Sequence, residues 1–381
     1  MHPFNEFVIK VASGCNLNCD YCYEYNLGDD SWKKMPAFFS SKIAKALVEK
    51  IINHSRTKKL DRVHISFHGG EPLLIGGEKL SELCEIFYKI EKEGIEVDLT
   101  MQTNGTLIDE SIAKVFKENN IFVAVSIDGP KVVNDLHRVT HNGKSTYEDT
   151  MNGIQIMKDK VPHLLSGILS VVDIRSNPIQ VFDFIASLGV ERVDLLKPHY
   201  NWDNPPPRVN KINNRNVSLE TCYGEWFGQI WSEWFNGKHS WMQIRFFENI
   251  IRGYMGGRAL YEDMTLEPTT LLTIASNGAI EGVDTLKSTA SNFQYTGLNI
   301  QDCELDDCYN HEVVNSRQSG VNGLCGTCRE CEHMNNCAGG YFPHRFSSDS
   351  QFDNTSVYCQ DLIWLLEKIR KDMGTGLSAN I

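Results

Sequence analysis

Over the first two hundred residues, short apolar or alternating runs take turns with longer stretches whose apolar residues fall near helical spacing. The runs EFVIKVAS, RVHISFHG, EVDLTMQTNG, IFVAVSID, LLSGILSVV and RVDLLKPH predict strands. SKIAKALVEKIINHS, EKLSELCEIFYKIEKEG, ESIAKVFKENN, TYEDTMNGIQIMKDK and NPIQVFDFIASLG predict amphipathic helices between and after them. Six β-α units in tandem predict an α/β fold with a parallel sheet. Right-handed crossovers curl such a sheet into a full or partial barrel, with function on loops at the carboxyl ends of the strands.

Four of those loops are unusual. SGCNLNCDYCY follows the first strand, and HGGEP, QTNG and SIDGP follow the second, third and fourth, so all four converge on one mouth. The regularity ends after His199, where NWDNPPPRVNKINNRN reads as a linker or domain boundary. The aromatic stretch CYGEWFGQIWSEWF reads as the core of a helical bridge in preference to a peptide grip. The tail beyond Trp364, ending MGTGLSANI, reads as frayed.

The chain has 381 residues, enough for two or three domains and a substantial core. Its 49 acidic and 37 basic side chains give a net charge of -12, which argues against non-specific nucleic-acid binding and against an anionic membrane surface. The start, MHPFNEFVIKVASG, shows no basic segment followed by a long apolar run, and no apolar stretch reaches the roughly 20 residues of a membrane span. These features point to the cytosol. In a reducing compartment, twelve cysteines serve as metal ligands or core residues more readily than as disulfides. Here they gather at 15–22 and again from 303 onward.

Why three cysteines on one loop? A [4Fe–4S] cluster presents four irons, so three thiolates leave one iron open. Zinc sites divide the same way: a closed shell supports the fold, and an open position takes a reactant. Unligated loop cysteines, or a zinc clip borrowing His2 or His68, are the weaker alternatives. Cys15-x3-Cys19-x2-Cys22, with the aromatic Tyr21 just before the third cysteine, resembles the signature of the radical S-adenosylmethionine (SAM) enzymes. The resemblance implies a partial (β/α)6 barrel whose open iron is chelated by the amino and carboxylate groups of SAM, and cleavage of SAM to methionine and a 5′-deoxyadenosyl radical. Gly69, Gly70, Glu71 and Pro72 resemble the family's GGEP element that receives the SAM amino group. Asn104, Ser126 and Arg138 are similar to its polar contacts to ribose and carboxylate, for which an Arg fork suits. Taken singly, Gly105 and Gly129 are as well explained as turn residues and Ser126 as a strand-end cap.

A second metal region lies near the carboxyl end. Cys328-x2-Cys331-x5-Cys337, followed by Cys359, resembles the SPASM domain of radical SAM enzymes that modify peptides. The resemblance implies that these four close an auxiliary [4Fe–4S] cluster; by spacing alone, a zinc ribbon stays open. The full seven-cysteine pattern is not met, because Tyr341 and Val283 stand where two further cysteines would be. A second auxiliary cluster is therefore not expected. Cys303, Cys308 and Cys325 are read as buried bystanders in preference to ligands, and Cys84 and Cys222 as core.

CAGGYFPHRFS with FDNTSVYCQDL, DLLKPHYNWDNPPPR, and LTIASNGAIEGVDTLK resemble enzymes of the XyeB, GrrM and FxsB type, which form three-residue cyclophanes. In that reaction a Cβ hydrogen is removed from one residue and the carbon radical attacks the ring of an aromatic residue two positions earlier. A base must take the ring proton, and Asp284 resembles the aspartate after the hairpin cysteine in related enzymes; a turn-capping role is equally compatible. His344 and Arg345 are read as organising the auxiliary cluster or gripping an acidic peptide, with a surface pair or a supporting pair behind the ligands equally compatible. The implied partners are a precursor peptide and a flavodoxin- or ferredoxin-like reductant. Leader recognition would use a strand edge, and any separate recognition domain is expected to be missing or supplied in trans. The expected division is 1–204 barrel, 205–300 helical bridge and hairpin, and 301–381 SPASM-like domain. Competing products are a thioether, an epimerised residue or an oxidised residue as in sulfatase maturation; a non-catalytic iron–sulfur scaffold ranks below these.

Overall fold

The computed structural model describes residues 2–212, 215–259, 262–289 and 293–378. It forms two compact units: Met1–Ile127 with Asn134–Gly167 and Thr269–Gln318, and Asp128–Val133 with Ile168–Pro268 and Ser319–Ile381.

The first unit carries β1 (Glu6–Ala12), β2 (Arg62–Gly69), β3 (Glu96–Thr103) and β4 (Phe122–Ser126), each strand parallel to the next. In β2, Val63, Ile65, Phe67 and Gly69 are buried while His64, Ser66 and His68 are half-buried; β3 repeats the pattern with Asp98, Thr100 and Gln102 on the wetter face. That polar face is unusual for parallel strands, which commonly read as continuous apolar runs, and it marks a surface that lines a site.

Helices α1 (Ser41–Lys58), α2 (Gly77–Phe87), α3 (Glu110–Glu118) and α4 (Tyr147–Lys160) lie between or after these strands, as the spacing predicted. In α1, Ile43, Ala44, Leu47, Val48 and Ile51 form the buried stripe. Ser40 caps it by accepting from the Ile43 amide, and Asp109 caps α3 in the same way, each worth about 1 kcal/mol.

The remaining strands complete the two units. β8 (Leu271–Ile274) pairs in parallel with β1, and β9 (Ala279–Glu281) and β10 (Tyr295–Asn299) extend the sheet antiparallel, giving the order β10-β9-β8-β1-β2-β3-β4. An Asn277-Gly278 turn joins β8 to β9, with Gly278 at φ 83. In the second unit β5 (Leu165–Val171, here from Ile168), β6 (Arg192–Leu196) and the two-residue β7 (Gln243–Ile244) run parallel. They are accompanied by α5 (Pro178–Ser187), α6 (Cys222–Phe235), α7 (Arg245–Tyr254) and α8 (Cys359–Ser378).

Trp226, Phe227, Trp231, Phe246 and Phe247 are fully buried, so the aromatic helix α6 is core as expected. Gly224 and Gly228 let α8 close on it: a Cβ at Gly224 would lie 2.5 Å from the Asp361 carbonyl oxygen, and one at Gly228 the same distance from the Trp364 ring. The tail expected to fray continues as helix to Ser378, because Leu365, Leu366 and Ile369 are buried and anchor its first turns. No described helix is long and apolar enough to cross a membrane.

Candidate active site and auxiliary centre

The loop after β1 is pinned at several points. The Ser13 amide donates to Ala37, the Asn18 amide to Val139 at 2.8 Å, and the Tyr25 hydroxyl to the Ser13 carbonyl at 2.8 Å. Between these pins Cys15, Cys19 and Cys22 form no disulfide and are half-buried. Burial pushes Cys15 and Cys22 up to about 12, and Cys19 adds to the shift of both, so the three sulfurs sense one another. Burial thus favours the neutral thiols, and the irons of a cluster would supply the positive charge that stabilises them as thiolates.

Two glycines bring the next loop against this one. At Gly69 (φ 144) a Cβ would meet the Ala12 carbonyl oxygen at 2.2 Å; at Gly70 it would meet the Tyr25 hydroxyl at 1.8 Å and the Gly14 carbonyl oxygen at 2.2 Å. The Glu71 amide donates to Gly14 at 3.0 Å, which ties the second loop to the cysteine loop. The Glu71 carboxylate is fully buried and accepts from the Leu73 amide, the Thr103 hydroxyl and the Asn104 amide at 3.0, 2.7 and 2.8 Å. It organises two loops at once, starting the turn that begins at Pro72. Asn104 donates to Asn16 at 2.9 Å, beside Cys15. Arg138 is buried, donates to the Tyr21 hydroxyl at 3.0 Å, and acts on both Cys15 and Glu71. Ser126 is buried at the end of β4 and accepts from Gln102 at 3.5 Å. The predicted SAM-loop residues thus share one region of the first unit.

Asp284 lies in the same unit, in a buried chain of charges. It accepts from Lys10 on β1 and from the Tyr23 hydroxyl at 2.9 Å, with His68 at 3.9 Å. Lys10 also pairs with Glu24; Lys287 pairs with Glu24 at 2.8 Å and lies 3.6 Å from Glu281. The side chains of these two lysines, Glu24, Glu281 and Asp284 are all at most 9% exposed. Burial alone would raise the Asp284 carboxyl, but Lys10 and then His68 hold it well below the usual carboxylate range. Burial pushes Glu281 up to about 7. With Glu281 neutral, two ammonium groups balance two carboxylates.

The sequence reading missed Lys10, Tyr23, Glu24, Glu281 and Lys287. One signal was available: a lysine inside the apolar strand FVIKVA. His68, considered as a zinc ligand, sits with Lys10 and Asp284.

In the second unit Cys328, Cys331, Cys337 and Cys359 line one cavity of about 870 Å³, together with Trp202 and Met334. Burial pushes Cys328 and Cys337 up to about 12. The His333 amide donates to the Cys331 sulfur at 3.4 Å. Among the described residues no three cysteine sulfurs lie within 4.8 Å of one another. Four thiols around one cavity are the donor set of a closed four-ligand metal centre, a [4Fe–4S] cluster among them. Cys325 is buried against Cys328, while Cys303 and Cys308 lie in the other unit, Cys303 donating to the Asn299 carbonyl. Val283 is buried in the first unit, and Tyr341 packs on His199 and His344 in the second. Cys84 and Cys222 are fully buried core residues.

Residues 9–173 match the model of the radical SAM superfamily. The chain is a radical SAM enzyme. It works with SAM and [4Fe–4S] clusters and has the radical SAM α/β fold with a large parallel sheet. It is 26% identical over 373 residues to the cysteine-type anaerobic sulfatase-maturating enzyme of Clostridium perfringens, covering 94% of each chain. It is 24% identical over 366 residues to the serine-type enzyme of Bacteroides thetaiotaomicron, covering 91% of this chain and 84% of that one. Among solved structures, native anSMEcpe with bound AdoMet and Cp18Cys peptide superposes with a TM-score of 0.80 at 22% identity, over 99% of both chains. Streptococcus suis SuiB bound to the precursor peptide SuiA gives 0.58 at 15% identity, over 94% of this chain and 76% of that one.

Proposed function

We propose that this radical SAM enzyme is a maturase of a ribosomally synthesised precursor peptide and that it joins a Cβ carbon to an aromatic ring two positions earlier, making a C–C cyclophane. The observation that carries the reading is Asp284, held as an anion by Lys10 and Tyr23 in the unit that bears the three-cysteine loop. Cys15, Cys19 and Cys22 would hold the cluster with the open iron. Tyr21, Gly69, Gly70, Glu71, Pro72, Asn104, Ser126 and Arg138 would shape the SAM pocket, Glu71 by organising its loops from within. Bound there, the cofactors supply a 5′-deoxyadenosyl radical that removes the Cβ hydrogen. Asp284 takes the ring proton; a carboxylate of low basicity suffices, because a ring bearing an added radical is strongly acidic once oxidised. Cys328, Cys331, Cys337 and Cys359 would hold a closed cluster. The division 1–204, 205–300 and 301–381, a cytosolic setting and a flavodoxin- or ferredoxin-like donor belong to the same reading.

Peptide substrates are supported by the relatives, whose names and bound peptides concern sulfatase maturation and a precursor peptide. A second product follows from the same relatives: an oxidised residue, favoured by the 94% coverage of a sulfatase-maturating enzyme. From a hydroxyl residue both products are short of two hydrogens, so mass alone does not separate them. The test incubates reduced enzyme and SAM with synthetic peptides carrying an aromatic residue two positions ahead of a Cβ-deuterated residue. Crosslinking predicts deuterium in 5′-deoxyadenosine, a product short of two hydrogens, and no backbone fragments from within the three-residue ring. Intact fragmentation with an aldehyde would favour the oxidised residue.

A further inference from the structure

Arg345 ends a short turn, Phe342–Arg345, and is 7% exposed. Its guanidinium donates to the carbonyls of Ala338, Gly339 and Gly340 at 2.7, 3.0 and 2.8 Å, and to that of Gly323 at 3.5 Å. The three consecutive acceptors all have left-handed backbone, with φ of 52, 73 and 69. For Ala338 that conformation costs roughly 1–2 kcal/mol. The curl is worth that cost for what it arranges: the carbonyls turn toward the cation, while the Gly339 amide faces the Cys337 sulfur. A Cβ at Gly339 would lie 3.0 Å from the guanidinium carbon, so the glycine lets chain and cation close up.

Among the described residues the hydrogen bonds of this buried cation end on neutral carbonyls. The ionisable groups that act on it most strongly are Cys328, Cys337 and Cys325, ahead of Glu262. A buried charge without an adjacent counter-charge is expensive. The balance is restored by an anion at the cysteines, and a four-thiolate iron–sulfur cluster is one whose reduced form carries one more negative charge.

We propose that Arg345 is the buried counter-charge of the auxiliary cluster and sets how readily that cluster accepts an electron. The proposal rests on reading Cys328, Cys331, Cys337 and Cys359 as its ligands. It gives the one electron released by crosslink formation a place to go: the C–C bond forms, Asp284 takes the proton, and the oxidised cluster takes the electron. Arg345 is a positioning residue for that step. Its charge favours the reduced state, as does the amide facing Cys337, and both raise the potential.

The test uses the full chain bearing Cys15→Ala, Cys19→Ala and Cys22→Ala, reconstituted with iron and sulfide without SAM or peptide, so the reading is independent of the product. Iron per chain is counted and the potential is measured by titration followed by electron paramagnetic resonance. Arg345→Met is expected to make reduction at least tenfold harder, about 59 mV for one electron. Arg345→Lys, which keeps the charge, should stay within about threefold of the parent. Loss of iron from Arg345→Met with retention in Arg345→Lys also supports the charge role. An unchanged potential in iron-loaded Arg345→Met, an equal shift in both variants, or loss of iron from both would overturn it. Absence of iron from the parent of this series would remove the ligand reading itself, whatever product the wild-type enzyme makes.

Discussion

The proposed function assigns Asp284 the ring proton. With Asp284→Asn, SAM cleavage should persist while crosslinked product per 5′-deoxyadenosine falls about 10²–10⁴-fold, the range for a lost proton acceptor. Equal loss of both would make Asp284 a structural group only. Its neighbour Glu281 gives a separate pH signature. Because the folded state raises it from the ordinary 4.5 to about 7, the folded chain holds the proton more tightly. That stability is complete below about 4.5 and is lost as pH rises through 7. The loss is on the order of 3 kcal/mol, and Glu281→Gln should abolish it, so that the variant gains on the parent in melting temperature between pH 5 and 8. Parallel melting curves would show that Lys287 already compensates the ionised carboxylate. The cysteine spacing was plain in the sequence. The charge chain was not, since Lys10 and Asp284 stand 274 residues apart and neither local stretch names the other as its partner.

At the scale of elements, the β/α repeat was legible because each strand and helix carries its own period. The docking of β8 on β1 was not, although the hairpin after β8 announced itself by Asn277-Gly278. A four-residue strand holds no information about a parallel partner some 265 residues earlier. The approach of two loops was half legible: the glycines of HGGEP suggested closeness, and the structure shows that the neighbour is the cysteine loop itself. Gly70→Ala would drive a methyl into the Gly14 carbonyl, which is backbone and has little room to yield. The expected outcome is loss of about four irons per chain and of 5′-deoxyadenosine formation, with the Cys328 group retaining its iron. Full iron loading in this variant would mean the loops are less closely coupled than their contact suggests.

For the whole molecule, the net charge of -12 argued against non-specific nucleic-acid binding and an anionic membrane surface, and cysteine clustering pointed to two metal regions. The structure places these regions in different compact units, one with a three-thiol loop and one with four thiols around a single cavity. Sequence spacing separated the two because each set lies within a short stretch, Cys359 excepted. It left Cys325 unassigned, and only the fold shows that residue packed against Cys328.

The central claim, one open and one closed cluster serving radical chemistry, is tested most directly by counting iron and 5′-deoxyadenosine in the anaerobically reconstituted wild-type chain beside Cys22→Ala. About eight irons per chain with SAM cleavage, falling to about four without cleavage in the variant, is the predicted result. Continued 5′-deoxyadenosine formation by Cys22→Ala, or only about four irons in the wild-type chain, would contradict it.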